Sequence, residues 1–212
     1  MFETFPALDF PFCRHLFIDR IPGIDVRADR QAALERLAAS HIEIRRSFGF
    51  PLPVTAEQTH GIGIAVVDET TRSPVPSVDG LVTNRPGVCL GIHVADCCAV
   101  YLLDPPTRSI GLVHSGRKGT DLGAVPAAIR KMQSEFGCDP RGMVAQLSPC
   151  IRPPWYEVDF AVTIAMQCRE CGITNIHTSD QCTAADLNRY YSYRAEQGKT
   201  GRMLALLEIL KR

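Results

Sequence analysis

Residues Val88–Thr120 read VCLGIHVADCCAVYLLDPPTRSIGLVHSGRKGT. Val88 to Ala95, Ala99 to Leu103 and Ser109 to Val113 are short apolar runs, and Asp104-Pro105-Pro106 breaks the second from the third. Runs of this length between turn residues read as β-strands. Beyond His114 the pattern changes. Across Asp121 to Phe136, Val125, Ile129, Met132 and Phe136 recur at helical spacing and Gly137 supplies a stop. Sheet followed by an amphipathic helix places the chain in the α/β or α+β class.

Working outward, Ile62 to Val67 and Gly80 to Thr83 add strands upstream, separated by Pro-rich turns. Before them, Asp29 to Arg46 carries Ala33, Leu37, Ala38, His41 and Ile42 on one helical face, and Gly49 with Pro51 and Pro53 ends it. Downstream, Met143 to Leu147 reads as strand, Asp159 to Glu170 as helix and Ile173 to His177 as strand. Gly201 to Leu210 fits either period. Neither repeats nor a long linker interrupt the pattern, so a single domain over residues 1–212 is expected.

Lysine plus arginine number 23 and aspartate plus glutamate number 23, so no net field draws the chain to nucleic acid or an anionic membrane. A small ligand, neutral or locally anionic, fits better. No apolar run approaches the roughly 18–20 residues that span a bilayer. The start, Met1-Phe2-Glu3-Thr4-Phe5-Pro6, lacks the basic and apolar regions of a secretory signal, so a cytoplasmic protein is expected. The nine cysteines lack the dense spacing of a disulfide framework and are expected to be reduced.

Among them Cys97 stands out. It ends Val94-Ala95-Asp96-Cys97, while His60 lies in Gln58-Thr59-His60-Gly61 and His114 follows the strand Ser109 to Val113. Two imidazoles and a thiolate suit zinc, and the separations of 37 and 17 positions imply convergence from different loops. Catalytic zinc commonly keeps three protein ligands and an open fourth position. After His114, Ser-Gly-Arg-Lys-Gly-Thr offers glycines for close approach and the charges of Arg117 and Lys118, an arrangement able to hold an anion. An ordinary strand-to-helix turn with solvated basic residues explains the same segment equally well.

Ordered motifs extend well beyond this trio. Gln58-x-His60-Gly61, Asp79-Gly80-Leu81-Val82-Thr83-x-x-Pro86-Gly87, Ala95-Asp96-Cys97, His114-Ser115-Gly116-x-x-Gly119-Thr120, Ser148-Pro149-Cys150-Ile151, Tyr156-Glu157-Val158, Cys182-Thr183, Tyr191-Ser192-Tyr193-Arg194 and Thr200-Gly201-Arg202-Met203 occur in sequence. In this the chain resembles the YfiH-like laccase-domain family. The resemblance implies a four-layer α/β/β/α sandwich, shared distantly with cysteine hydrolases, and metal ligands at His60, Cys97 and His114. Family members are described as multicopper polyphenol oxidases and as purine nucleoside enzymes. The latter phosphorolyse adenosine, inosine, guanosine and methylthioadenosine and deaminate adenosine; a bacterial branch is linked to peptidoglycan editing. Where the family usually has His-Ala-Gly-Trp-Arg-Gly, this chain places Arg117 and Lys118 at the Trp and Arg positions, and the stretch from Val158 to Cys182 is shortened.

The expected mechanism is a zinc ion, with copper a less favoured cofactor, on His60, Cys97 and His114, lowering the pKa of bound water from 15.7 to about 7 for deamination. For phosphorolysis Arg117, Lys118, Arg194 and Arg202 are the candidates to hold phosphate, and Tyr193 and Gln58 to contact the nucleoside. Asp96 is either a proton carrier, a residue orienting the neighbouring ligand, or a turn cap. Rival expectations are a metal-free amidase or deamidase with Cys97 activated by His114, and a non-catalytic zinc-stabilised module. Multicopper oxidation is least supported, because six histidines are too few for several copper sites. His93, Cys98, Cys150 and the Cys168-Arg-Glu-Cys171 pair read first as packing residues.

Overall fold

The computed structural model describes residues 2–211. Among them lie eleven strands in two sheets. The first sheet contains β1 (Phe2–Glu3), β2 (Cys13–Ile18), β3 (Val54–Thr55), β6 (Cys89–Val94) and β11 (Met203–Ile209), in the order β1-β2-β11-β6-β3. The second contains β4 (Ile64–Val66), β5 (Gly80–Thr83), β7 (Cys98–Asp104), β8 (Ser109–Ser115), β9 (Val144–Leu147) and β10 (Asn175–Thr178), in the order β10-β9-β7-β8-β5-β4. Both sheets are mixed: β3 joins β6, β4 joins β5 and β10 joins β9 in parallel, and the remaining pairs are antiparallel.

Alternation along the strands decides the layers. Leu90, Ile92 and Val94 of β6 and Met203, Ala205 and Leu207 of β11 meet Ala99, Tyr101 and Leu103 of β7 and Ile110 and Leu112 of β8 in one core between the sheets. Each such Leu, Ile, Val or Met contributes about 1.5–3 kcal/mol by leaving water. The opposite face of the second sheet, with Val82, Val100, Leu102, Val113 and Ala145, packs on α3 (Ala124–Phe136) and α4 (Phe160–Glu170). On the outer face of the first sheet, Leu16, Ile18, Leu204 and Leu206 pack with Ile44 of α1 (Arg30–Ser47). The result is the expected four-layer α/β/β/α sandwich.

Helix ends follow local chemistry. Asp29 caps α1 by accepting from the Ala32 N–H at 3.0 Å. The helix expected from Asp121 begins earlier and is broken. Arg117–Leu122 forms a short α2, and Gly123, at φ +84°, turns the chain into α3. The Gly-Arg-Lys-Gly segment, read as an anion-holding segment or a strand-to-helix turn, is therefore largely helical. The ambiguous tail is β11, buried on both faces between β2 and β6.

The topology also places the site. The chain crosses from the first sheet to the second between β3 and β4, and again between β6 and β7. His60 sits in the first crossing and Cys97 in the second, while His114 lies near the end of β8 beside them. All nine cysteines are free, and no described helix is long and apolar enough to cross a membrane.

Candidate metal centre and its cavity

The donor atoms of His60, Cys97 and His114 all lie within 4.8 Å of one another. The two imidazoles meet edge to face, with centroids 4.8 Å apart at 80°. His114 is buried, Cys97 half-buried and His60 exposed, so the trio opens to solvent on the His60 side. Two of the loops are held in the left-handed region by non-glycine residues: φ is +66° at Gln58, +61° at His60 and +80° at Asp96. Such backbone persists only where its surroundings over-determine it, and it concentrates at functional sites.

What over-determines the His60 loop is Asp79, fully buried at the start of β5. Its Oδ1 accepts from the His60 N–H and from Nδ1 of His114, both at 2.8 Å. Its Oδ2 accepts from the Gly61 N–H at 2.7 Å and from the Thr59 N–H and hydroxyl at 3.1 Å. Burial alone would raise this carboxyl, but the bonds from His114, Gly61 and His60 outweigh it and bring its pKa to about 2. Burial would likewise raise the Cys97 thiol, yet His114 and His60 bring it down to about 6. For His114 burial lowers the pKa, and the Cys97 and Asp79 charges outweigh it, lifting the imidazole to about 9.

These residues fit a metal ion. With Nδ1 of His114 committed to Asp79, Nε2 is the nitrogen left to coordinate, the arrangement by which a carboxylate orients a metal-bound histidine. The thiolate that a metal requires is the form Cys97 already favours. Gly116 makes the room: a Cβ there would overlap Cys97 Sγ, although its φ of −97° is open to any residue. His60, Cys97 and His114 are the one such donor cluster among the described residues, whereas multicopper chemistry calls for several.

A cavity of about 1000 Å³ rises above the trio, and all ten residues singled out from sequence line it. Their individual engagements differ. Gln58 is buried and spends its amide on the backbone of His93, donating to the carbonyl at 2.6 Å and accepting from the N–H at 3.0 Å. Asp96 accepts from the Thr183 hydroxyl and the Arg194 N–H, both at 2.7 Å, so its carboxylate ties three segments together. Arg117 and Arg194 share Glu157, each at 3.2 Å. Lys118 is exposed. Tyr193 is 55% exposed and lies below the Arg202 guanidinium, 5.9 Å from its ring centroid. Arg202 is buried and donates Nη1 to the carbonyls of Thr200 and Gly201 at 2.9 and 2.8 Å.

Sequence reasoning passed over three participants. Asp79 stood inside a quoted motif without a role, and only the folded contacts reveal it. Glu157, which pairs with two of the expected phosphate ligands, was in the same position. Arg30 sits in a helix pattern where an arginine reads as solvated, yet it lines the cavity. His93 also lines it, with burial pushing its imidazole down to about 3. Cys98 faces away into the helix-side core, as alternation requires, and Cys150 and Cys168 are buried there too.

The family model described as multi-copper polyphenol oxidoreductase laccase matches residues 24–167 and 158–210. The purine nucleoside phosphorylase YlmD of Geobacillus stearothermophilus is 29% identical over 200 positions, covering 74% of this chain and 73% of that protein. A purine nucleoside phosphorylase of Streptomyces coelicolor is 38% identical over 138 positions, covering 65% and 52%. The crystal structure of YlmD from Geobacillus stearothermophilus superposes with a TM-score of 0.81 at 25% identity, covering 97% of this chain and 94% of that one.

Proposed function

Because this chain belongs to the multi-copper polyphenol oxidoreductase laccase family, we propose that it is a zinc-assisted purine nucleoside phosphorylase acting in the cavity above His60, Cys97 and His114. The observation that carries this reading is the convergence on one cavity of three metal donors, several guanidinium groups and the exposed ring of Tyr193. The names of the similar proteins support the substrate class. In phosphorolysis a phosphate oxygen bonds to C1′ of the ribose as the C1′–N9 bond breaks. The bond's electron pair leaves with the purine, which takes up a proton, and ribose 1-phosphate is released.

The chain's own residues supply position and charge. Arg202, its guanidinium anchored by two carbonyls, offers a fixed cation for an anionic substrate. Tyr193 presents a face on which a purine can stack. Asp79 holds His114 and the His60 loop, so the donor set is formed before substrate arrives. A zinc ion on His60, Cys97 and His114 would supply Lewis acidity, which also suits hydrolytic deamination of adenosine as a second activity.

The test is a panel of adenosine, inosine, guanosine and methylthioadenosine with and without phosphate, following free base and ribose 1-phosphate, alongside metal analysis of wild type and Cys97→Ala. Phosphate-dependent release of base, lost with Cys97→Ala, is expected. Stoichiometric zinc without turnover of any nucleoside overturns the substrate assignment and spares the metal centre; absence of metal from the wild type overturns the centre.

A second reading rests on the line Asp79, His114, Cys97, which also orders an orienting carboxylate, a base and a thiol of lowered pKa. It describes a thiol amidase or deamidase. Amide hydrolysis that survives complete chelation is its signature.

A further inference from the structure

We propose that Arg30 and Arg202 form the oxyanion subsite of this cavity and hold the phosphate, so that of the four candidates expected from sequence Arg202 serves, joined by Arg30, and Arg117, Lys118 and Arg194 do not. The inference rests on the phosphorolytic reading for the identity of the anion. Its physical basis is the distribution of acids around the cavity. Arg117 and Arg194 are both bound to Glu157 at 3.2 Å, and Arg117 has Asp121 4.0 Å away as well, so an incoming phosphate would have to compete with carboxylates already in place.

Arg30, Arg202 and Lys118 have no such partner among the described residues, and of these only Arg30 and Arg202 carry a planar fork, Lys118 being a point charge. Arg202 is 9% exposed, and both hydrogens of its Nη1 are taken by the Thr200 and Gly201 carbonyls. That leaves Nε and Nη2, one edge of the fork, without a protein acceptor, and an edge of this shape matches two phosphate oxygens. Arg30 donates Nη1 to the Glu57 carbonyl at 3.0 Å and otherwise reaches the cavity unpaired. The carboxylate that acts on Arg202, Asp96, has both oxygens occupied by Thr183 and the Arg194 N–H.

Both guanidiniums line the one cavity, and the charge of Arg30 reaches Arg202. Burial first, and then the charge of Arg30, depress the basicity of Arg202. Like charges brought together beside a buried wall raise the free energy of the empty site, and an anion placed between them relieves it. His93 lines the same cavity, and burial pushes its imidazole down to about 3, so its ring adds a hydrogen-bonding group without adding charge.

Isothermal titration of the purified chain with inorganic phosphate tests the assignment. Arg30 is exposed, so Arg30→Gln retains the fold, which circular dichroism verifies; Arg202→Lys keeps the charge but removes the fork. Phosphate affinity is expected to fall by about tenfold or more in each, and by less than about threefold in Arg117→Gln. Wild-type affinity in Arg30→Gln, a large loss in Arg117→Gln, or no phosphate binding by the wild type overturns the subsite. Nucleoside phosphorolysis in Arg30→Gln with an unchanged KM for phosphate overturns the subsite and leaves the enzyme reading standing. Arg30-dependent phosphate binding without nucleoside cleavage supports the subsite and overturns the enzyme reading.

Discussion

Asp79 controls two of the three donors through a single oxygen, its Oδ1 accepting from Nδ1 of His114 and from the backbone N–H of His60, both at 2.8 Å. Neither donor can move without breaking a charge-assisted bond. Asp79→Asn keeps the shape but removes the charge and turns one acceptor into a donor facing other donors. Metal affinity, measured by competition with a chelator, is expected to fall about 10- to 100-fold. An unchanged affinity would show that the loop and ring hold their places without this carboxylate.

Gly116 gives a second, purely steric test. A Cβ at this position overlaps Cys97 Sγ, and the thiol can escape only by turning away from His60 and His114. Gly116→Ala is therefore expected to lose metal while unfolding within about 1 kcal/mol of wild type. Atomic emission on the dialysed variant and a urea titration separate the two effects.

Cys97 should respond to metal removal directly. With an ion bound its sulfur is a ligand; after chelation it is a half-buried thiol beside His114 whose ionisation is favoured. Iodoacetamide at neutral pH is expected to modify Cys97 rapidly only in chelated protein, with readdition of zinc restoring protection. Equal labelling in both states, located by peptide mapping, would contradict coordination through this sulfur.

Acid stability should depend on His41, which lies on α1 with its Nε2 buried and without a partner among the described residues. Burial lowers its pKa from 6.5 to about 4. Between those values the unfolded chain binds the proton and the folded chain does not, so stability rises with pH through the window and is complete above 6.5. Falling from pH 7 to 4 costs about 3 kcal/mol from this group. His41→Leu should lose correspondingly less on acidification, read from urea midpoints at pH 7 and pH 4.5. His93 keeps part of the slope in both proteins. Parallel curves would remove His41 from the account.

Much of the architecture could be read from the chain because short runs bounded by turn residues, such as Gly80–Thr83, and the helical recurrence of Ala33, Leu37 and His41 on α1 are local signals. Two elements could not be assigned by that means. Met203–Ile209 is apolar on both faces, so periodicity cannot separate strand from buried helix until pairing with β2 and β6 is seen. Cys13–Ile18 is hidden for a related reason: Arg14 interrupts its apolar run, and its partners, Glu208 and the carbonyls of Phe48 and Gly49, are brought to it only by folding. The site divides in the same way. Donor chemistry singles out His60, Cys97 and His114 by residue type, whereas the contributions of Asp79, Glu157 and Arg30 depend on what each faces after folding.

The crossings between sheets at His60 and Cys97 would make a metal bound there a rivet through the sandwich. Its three donors assemble only when the layers have docked, so the free energy of binding is also free energy of keeping them docked. Metal affinity thus becomes a gauge of sheet packing far from the cavity. The Tyr101 hydroxyl, which donates across the interior to the Leu16 carbonyl at 3.1 Å, joins the same two layers. Loosening that tie with Tyr101→Phe should be felt at His60 and Cys97 as an ion more easily surrendered to a chelator.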